Sequence, residues 1–342
     1  MKENRKQKQN HRIAGTLLLC GILLLTGCGL LHRGEKDETV WTEGSMLRVG
    51  NSQIDYREGL VYLQAVQEEY ESYYGSDIWM YAVDGRGNTL GELVKQQVLE
   101  QIIYIKVVCR QADTLGIVLS DEELLDADRK TEEYMEKMKG TGMELYGISE
   151  DIVRRIYQDN ILARKTYEFS TLNVNTDISD EEAGQHVLQA IAIRNFKLDA
   201  SGNRVSYSEE ELSELRARMQ EIREQARETD DFYKLAASIT EDSSMLEITV
   251  GRGDLPEEYE SQVLSLTTGE LSEVIETTDY EYVFYCVTEH DIDATLAKKE
   301  KLIAARQKEA FQGFYEQWRQ ELTIEVNEPV WDSIGFDTGA VG

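Results

Sequence analysis

Proline is nearly absent from this chain: Pro256 and Pro329 are the only two in 342 residues. Proline breaks helices because it lacks an N–H and its ring meets the carbonyl four residues back, so the long stretches of mixed polar and apolar residues are free to run as continuous helices. Several show the 3.6-residue period of an amphipathic helix. One starts near Tyr56 and carries Leu60, Leu63 and Val66. A longer one covers about 89–115, with Leu93, Val94, Val98, Ile102, Ile105 and Cys109 on its apolar side. Another covers about 150–169, and a last one 294–321, with Leu296, Ile303, Phe311, Phe314 and Trp318. Three capping boxes, in which a serine and a following glutamate satisfy orphan amides reciprocally, open at Ser120 with Glu123, Ser179 with Glu182, and Ser208 with Glu211.

Between the helical stretches the pattern changes. Residues 187–196 are β-rich, 199–207 read as a loop, and 208–228 as a charged helix. Short helices at 231–238 and 257–264 alternate with strands at 246–250, 274–276 and 282–287. A strand-like piece at 47–54 and a β-like tail at 323–326 flank the whole. The class is therefore α+β, with a small mixed unit inside a helical domain built from both chain ends.

The N-terminus carries Lys2, Arg5, Lys6, Lys8 and Arg12 against Glu3, then an apolar run from Ile13 to Leu25. At 13 residues the run is too short for a stable membrane span, which needs about 20, but it suits a secretory h-region. It ends in Leu25-Thr26-Gly27-Cys28, which resembles a bacterial lipobox. That resemblance implies a signal peptide over 1–27, cleavage before Cys28, diacylglyceryl and fatty acyl (palmitate-type) modification of that cysteine, and a lipidated tether over 28–44. Two chains are enough for stable anchoring. Without residues 1–27 the chain keeps 31 Lys+Arg against 64 Asp+Glu, a net charge of −33. Such a surface repels phosphate backbones and anionic lipid, so nucleic acid is not an expected partner and the acyl anchor must hold the membrane. Cys109 and Cys286, each in an apolar stretch, read as buried single cysteines.

Several short pieces, in order, resemble a parvulin (peptidyl-prolyl isomerase) domain. Asp231-Phe232-Tyr233-Lys234-Leu235-Ala236, then Ser238 to Asp242, resembles "D-F-x-x-L-A-x-x-[YF]-S-x-D". Gly251-Arg252-Gly253-Asp254-Leu255 with Glu258-Tyr259-Glu260 is similar to "G-R-G-x-M…x-F-E". Leu266-Thr267-Thr268-Gly269-Glu270-Leu271-Ser272 fits "L-x-x-G-E-[VI]-S". Outside this unit, Val49-Gly50-Asn51-Ser52-Gln53-Ile54 and Leu115-Gly116-Ile117 with Ser120 to Glu123 resemble the helical chaperone domain of PrsA/SurA-type foldases, as does the closing helix with Phe314, Trp318, Val326, Asn327 and Trp331. The resemblance covers nearly all of 45–335. It implies a helical chaperone-like domain over 45–178, a parvulin-like domain over 179–290, and a C-terminal helix and tail over 291–335 that complete the helical domain.

Parvulins use two facing histidines, a nearby Cys or Asp, and an apolar cradle for the proline ring. Ten residues beyond Ser272 the second histidine position falls on Tyr282. The opening strand, Gln189-Ala190-Ile191-Ala192-Ile193-Arg194, contains no histidine, and the segment between Asp242 and Gly251 is several residues shorter than in the family. His11, His32, His186 and His290 do not supply the missing pair. Leu255, Tyr259 and Tyr282 are the expected substrate-binding residues, or else ordinary packing of a small sheet. Tyr282 is the one candidate for a catalytic position. No metal or other cofactor is expected: Asp199, Ser201, Asn203 and Glu210 have EF-hand offsets, but Arg204 stands where the loop needs glycine. Tyr62, Tyr70, Tyr73, Tyr74 and Tyr81 form either a surface that grips varied segments or part of the core.

The expectation is an extracytoplasmic, membrane-anchored folding factor for newly secreted, unfolded polypeptides, with weak or lost isomerase activity. The alternative is an active isomerase with a substituted site. A small-solute-binding lipoprotein fits less well, because the alternating strand-helix pattern of two α/β lobes is missing.

Overall fold

The structure, a computed structural model, describes residues 40–85, 87–141 and 143–336. The expected signal segment, Cys28, His11 and His32 lie outside the described residues. Two compact units emerge: one takes the described residues up to Asn173 together with those from Glu309 onward, the other Val174–Lys308.

The first unit opens with a hairpin, β1 (Ser45–Val49) and β2 (Ser52–Asp55). The stretch 47–54 reads in sequence as one strand, but Gly50, at φ +57°, folds it back on itself. A primed hairpin turn needs positive φ, which glycine adopts without steric cost. Helices α1 (Tyr56–Tyr74), α2 (Leu90–Leu115), α3 (Asp121–Met138) and α4 (Glu150–Thr171) follow. Asp55 caps α1, accepting from the Arg57 N–H at 2.9 Å. A box formed by Thr89 and Glu92 starts α2, and the expected Ser120–Glu123 box starts α3. Gly116, at φ +69°, ends α2 in the left-handed turn that glycine favours.

The second unit begins with a single helical turn, α5 (Asp180–Ala183), and the long strand β3 (Gln185–Arg194). Ser179 accepts from the Glu182 N–H at 3.1 Å as expected. The Glu182 carboxylate does not return the bond; it holds the Arg306 guanidinium through two contacts of 2.7 and 2.8 Å. A charged donor outcompetes a backbone amide for it. The segment 199–207, expected to be all loop, contains strand β5 (Arg204–Ser206), which pairs with β4 (Phe196–Leu198) in a small hairpin. Its turn is closed by Asp199, whose carboxylate accepts from the Ser201 and Asn203 N–H groups, both at 2.8 Å.

Helices α6 (Glu209–Glu228) and α7 (Phe232–Ile239), strand β6 (Ile248–Gly251), helix α8 (Glu257–Leu264) and strands β7 (Ile275–Glu276) and β8 (Tyr280–Thr288) complete the unit. The four long-range strands form an antiparallel sheet in the order β6-β3-β8-β7. Strand period two divides its side chains between two cores. Ile191, Ile193 and Val283 meet α6 and α7 on one face, while Leu188, Ala190, Ala192, Tyr282, Phe284 and Cys286 meet α8 on the other.

The chain then enters α9 (Ile292–Gln320), β9 (Ile324–Val326) and α10 (Glu328–Asp332), the last not foreseen in the sequence. β9 returns to β1, pairing Leu47 with Val326 and Val49 with Ile324, and Arg48 bridges Glu325 at 2.6 Å. The helical unit is thus closed by both chain ends. On α9, Phe311 and Tyr315 are buried one turn apart, while Leu296 and Phe314, expected on the apolar side, are exposed. Each follows or precedes a buried residue by one position, which turns it 100° away from the packed stripe. Leu93 on α2 is exposed in the same way. Among the described residues no helix is long and apolar enough to cross a membrane.

An ion network ties three helices of this unit. Lys106 of α2 reaches Glu58 of α1 at 2.5 Å and Asp159 of α4 at 2.6 Å, with the Lys106 and Glu58 side chains only 12% and 5% exposed. Burial pulls the ammonium pKa down, yet the two carboxylates outweigh it and hold it above the ordinary lysine value. Tyr62 accepts from Asn160 at 2.9 Å beside the network. Taking away one partner leaves buried charge uncompensated. Lys106→Ala is therefore expected to lower the unfolding free energy by about 3–5 kcal/mol, whereas Arg164→Ala, which breaks an exposed pair with Glu168, costs under about 1 kcal/mol. Urea midpoints of the two variants measure the difference.

Candidate functional site

The α8-facing side of the sheet gathers the residues singled out in the sequence. Period two along β8 puts Tyr280, Tyr282, Phe284 and Cys286 on this side, and the β3–β8 register sets Ala192 opposite Tyr282, Ala190 opposite Phe284, and Leu188 opposite Cys286. Two alanines facing two aromatics leave room for the rings to lie over β3. Tyr259, in the first turn of α8, closes the layer, with its ring centroid 6.0 Å from both Tyr282 and Phe284. Tyr280 and Phe284 flank Tyr282 at 5.7 and 5.4 Å. Such offset rings gain modest attraction beyond their buried area.

Leu255 is half-buried against the same cluster. The turn that presents it is held by its backbone amides. Gly251 N–H donates to Asp254 Oδ2 at 2.9 Å, and Gly253 N–H donates to Glu260 Oε1 at 2.6 Å. Gly253 sits at φ +83°, and a Cβ at Gly251 would collide with the Gly184 carbonyl oxygen. These two steric demands explain the glycines of Gly251-Arg252-Gly253. All three expected substrate-binding residues, Leu255, Tyr259 and Tyr282, thus lie on one face.

Its chemistry is aromatic and apolar, with two phenol groups. Burial pushes the Tyr282 hydroxyl up to about 12, with the Tyr259 phenol adding to the shift, and burial also raises Tyr259. Both remain protonated donors in the physiological range, and no hydrogen-bond partner for either hydroxyl is found among the described residues. Among the described residues no imidazole stands beside them. His186 is on β3, but six residues from Ala192, about 20 Å along the strand; it pairs with Val250 of β6, and burial lowers its pKa. His290 lies beyond the end of β8 and is exposed. The shortened segment after Asp242 passes through a single 3-10 turn, Ser243–Met245, capped by the Asp242 carboxylate, and continues at once into β6. Cys286 is a free, buried thiol pushed up to about 11 by burial. Among the described residues no group of three or more His, Cys, Asp or Glu could hold a metal ion.

Phe284, Tyr280 and the two alanines were not singled out in the sequence. The alternation Tyr280-Tyr282-Phe284 was visible there, but only the β3–β8 register shows which small residues face it.

Two family models match the chain: the SurA-like N-terminal domain over residues 1–146 and the PPIC-type PPIASE (rotamase) domain over residues 196–285. The chain thus combines a SurA-like N-terminal domain with a parvulin-type rotamase domain. The rotamase match begins after β3, the strand that carries Ala190 and Ala192. Over 92% of its length the chain is 21% identical to a protein named foldase protein PrsA from Clostridium botulinum, strain Langeland, and the alignment covers 96% of that relative. A second such protein, from strain Loch Maree, is 21% identical over 90% of this chain and 94% of its own. Among solved structures, a peptidylprolyl isomerase (PrsA) from Bacillus cereus aligns with 70% of this chain and 89% of its own at 17% identity and TM-score 0.33.

On the opposite side of β8, next to Tyr282, lies Glu281. It is 2% exposed, its Oε2 has no hydrogen-bond partner, and its cross-strand neighbour on β7 is Glu276. Glu276 is itself held by Arg216 of α6 at 2.9 Å. Burial, then repulsion from Glu276, push the Glu281 carboxyl up to about 7, with Arg216 opposing. The folded chain therefore keeps this proton at pH values where the unfolded chain has lost it. The resulting stability is complete below the free value of 4.5 and is lost as pH rises through 7. Glu281→Gln should raise stability at pH 8 by about 2–3 kcal/mol and change it little at pH 4. Urea unfolding of both forms across that range measures it, and parallel pH profiles would contradict the assignment.

Proposed function

We propose that this chain is an extracytoplasmic folding factor, anchored by lipid on Cys28, that binds newly secreted, unfolded polypeptides and has weak or no prolyl isomerase activity. Relatives named foldase along nearly the whole chain, and the pairing of a SurA-like with a rotamase domain, support the folding role. The observation that carries the loss of catalysis is the register of β3 on β8: Ala190 and Ala192, not histidines, face Phe284 and Tyr282. Prolyl rotation has a barrier of about 18–20 kcal/mol, and this face offers an apolar cradle and phenol donors without an imidazole pair. Leu255, Tyr259 and Tyr282 would hold the apolar part of a chain segment.

A protease-coupled assay on a prolyl peptide tests the reading. The full chain should give a rate close to the uncatalysed one, unchanged by Tyr282→Phe, while slowing aggregation of a reduced secretory protein. The second reading, an isomerase that uses Tyr282 as donor, is favoured by the free Tyr282 hydroxyl; a clear acceleration abolished by Tyr282→Phe would establish it instead. The lipid anchor has its own readout. Cells fed a labelled fatty acid should label the wild-type chain and not Cys28→Ser, and equal labelling would remove the anchor from the proposal.

A further inference from the structure

The helical unit leaves a dense apolar patch open. Tyr73, Tyr74, Met80, Tyr81 and Val83 are 77, 69, 66, 65 and 39% exposed, five large apolar side chains within eleven residues. Scattered exposed apolar residues are ordinary, but five within eleven consecutive positions are a concentration of the kind found at interaction surfaces. The patch rests on a rigid base. Tyr73 and Tyr74 are 6.2 Å apart, Tyr74 leans on Tyr70 at 6.3 Å, Tyr70 on Trp79 at 5.4 Å, and Trp79 stacks on Phe336 at 3.9 Å. The Trp79 indole N–H donates to Glu71 at 2.8 Å, and Gln67 holds the same carboxylate at 2.8 Å. Gly75, at φ +79°, turns the chain out of α1 into a 3-10 turn, Ser76–Met80. A small hairpin closed by Val83 N–H to the Asn88 carbonyl at 3.0 Å then carries Tyr81 and Val83.

The charge around the patch is predominantly negative. From Glu68 to Asn88 the sequence holds five acids and one base, Arg86. Glu68 is paired with Lys137, Glu71 is occupied as above, and Asp84 takes Asn88. Glu69 and Asp77 have no side-chain partner among the described residues. A second copy brought against this face by a two-fold axis would set these acids against themselves, and an anionic bilayer is repelled for the same reason.

We infer that the Tyr73–Val83 face docks an extended, unfolded polypeptide segment that carries aromatic or aliphatic side chains together with Lys or Arg. The occupant rests on the folding-factor reading above. The phenol rings supply contact area at low cost in side-chain freedom and attract cations through their faces. Glu69 and Asp77 pair with the basic side chains, and the net acidity of the chain draws such segments in.

Fluorescence anisotropy on the purified full chain in mild detergent, with two labelled peptides of equal apolar content, one bearing arginines and the other aspartates, tests it. The arginine peptide should bind and the aspartate peptide should not. Tyr73→Ser/Tyr74→Ser/Tyr81→Ser should weaken binding about tenfold, and Glu69→Lys/Asp77→Lys should reverse the preference. Thermal melting of each variant checks that the fold is retained. Equal binding of both peptides, unchanged binding by the serine variant, or a wild type that self-associates in sedimentation where the serine variant does not, with peptide binding the same in both, would each overturn the inference. An aggregation assay run in parallel separates the two levels: a serine variant that binds peptide and protects a client as well as wild type removes the face and keeps the folding role. A wild type that protects nothing removes the folding role, while the peptide measurements still judge the face.

Discussion

The pairing of β9 with β1 is the constraint on which the helical unit depends. Asn327 Nδ2 donates to the Ser45 carbonyl at 2.8 Å across 282 positions, and its backbone N–H donates to the Met46 carbonyl at 2.8 Å. Closing a flexible loop of that length carries an entropic cost that grows only logarithmically with its size, and the intervening chain is not flexible, because much of it folds into a unit with its own sheet. Once β9 is in place, Trp331 and Ile334 complete a core that includes Met46, Leu47, Ile102 and Phe311. Neither chain end could bury its apolar residues without the other.

Within that core the Lys106 network has a different role from the apolar contacts. Burial of aliphatic side chains supplies the driving force, about 1.5–3 kcal/mol for each one fully covered, but it tolerates small shifts of helix against helix. Two carboxylates converging on one ammonium do not. Glu58 and Asp159 fix α1 and α4 relative to α2, and any register that separates them leaves charge buried without a partner. The sheet of the second unit shows the reverse situation at Glu281, where a carboxyl is buried against a like charge and its proton compensates.

Much of this was legible in residues. The helix starts at Thr89, Ser120 and Ser208 follow local rules that need no tertiary context, and the helical period identified Leu60, Leu63, Val98 and Ile102 as buried. The parvulin-like pieces were legible as well, because turns such as Gly251-Arg252-Gly253 carry steric demands that only glycine meets. Reading failed where a local pattern competes with a long-range partner. The second half of the Ser179–Glu182 box was lost to Arg306, and the strand at 47–54 became a hairpin at Gly50. Leu93, Leu296 and Phe314 satisfied a helical stripe that no neighbour covers.

The sequence by itself determined the α+β class, the insertion of a small mixed unit between two helical segments, and the absence of histidine from residues 187–196. These are properties of composition, period and order, and they hold whatever the chain packs against. Tertiary structure alone decided which residues face Tyr282, since a one-residue change of strand register would move every side chain of β3 to the other face. It also decided which tyrosines are core and which are surface: Tyr62 is buried, while Tyr73, Tyr74 and Tyr81 stand exposed. The reason is physical, because burial belongs to a pair of surfaces and the sequence specifies only one of them at a time.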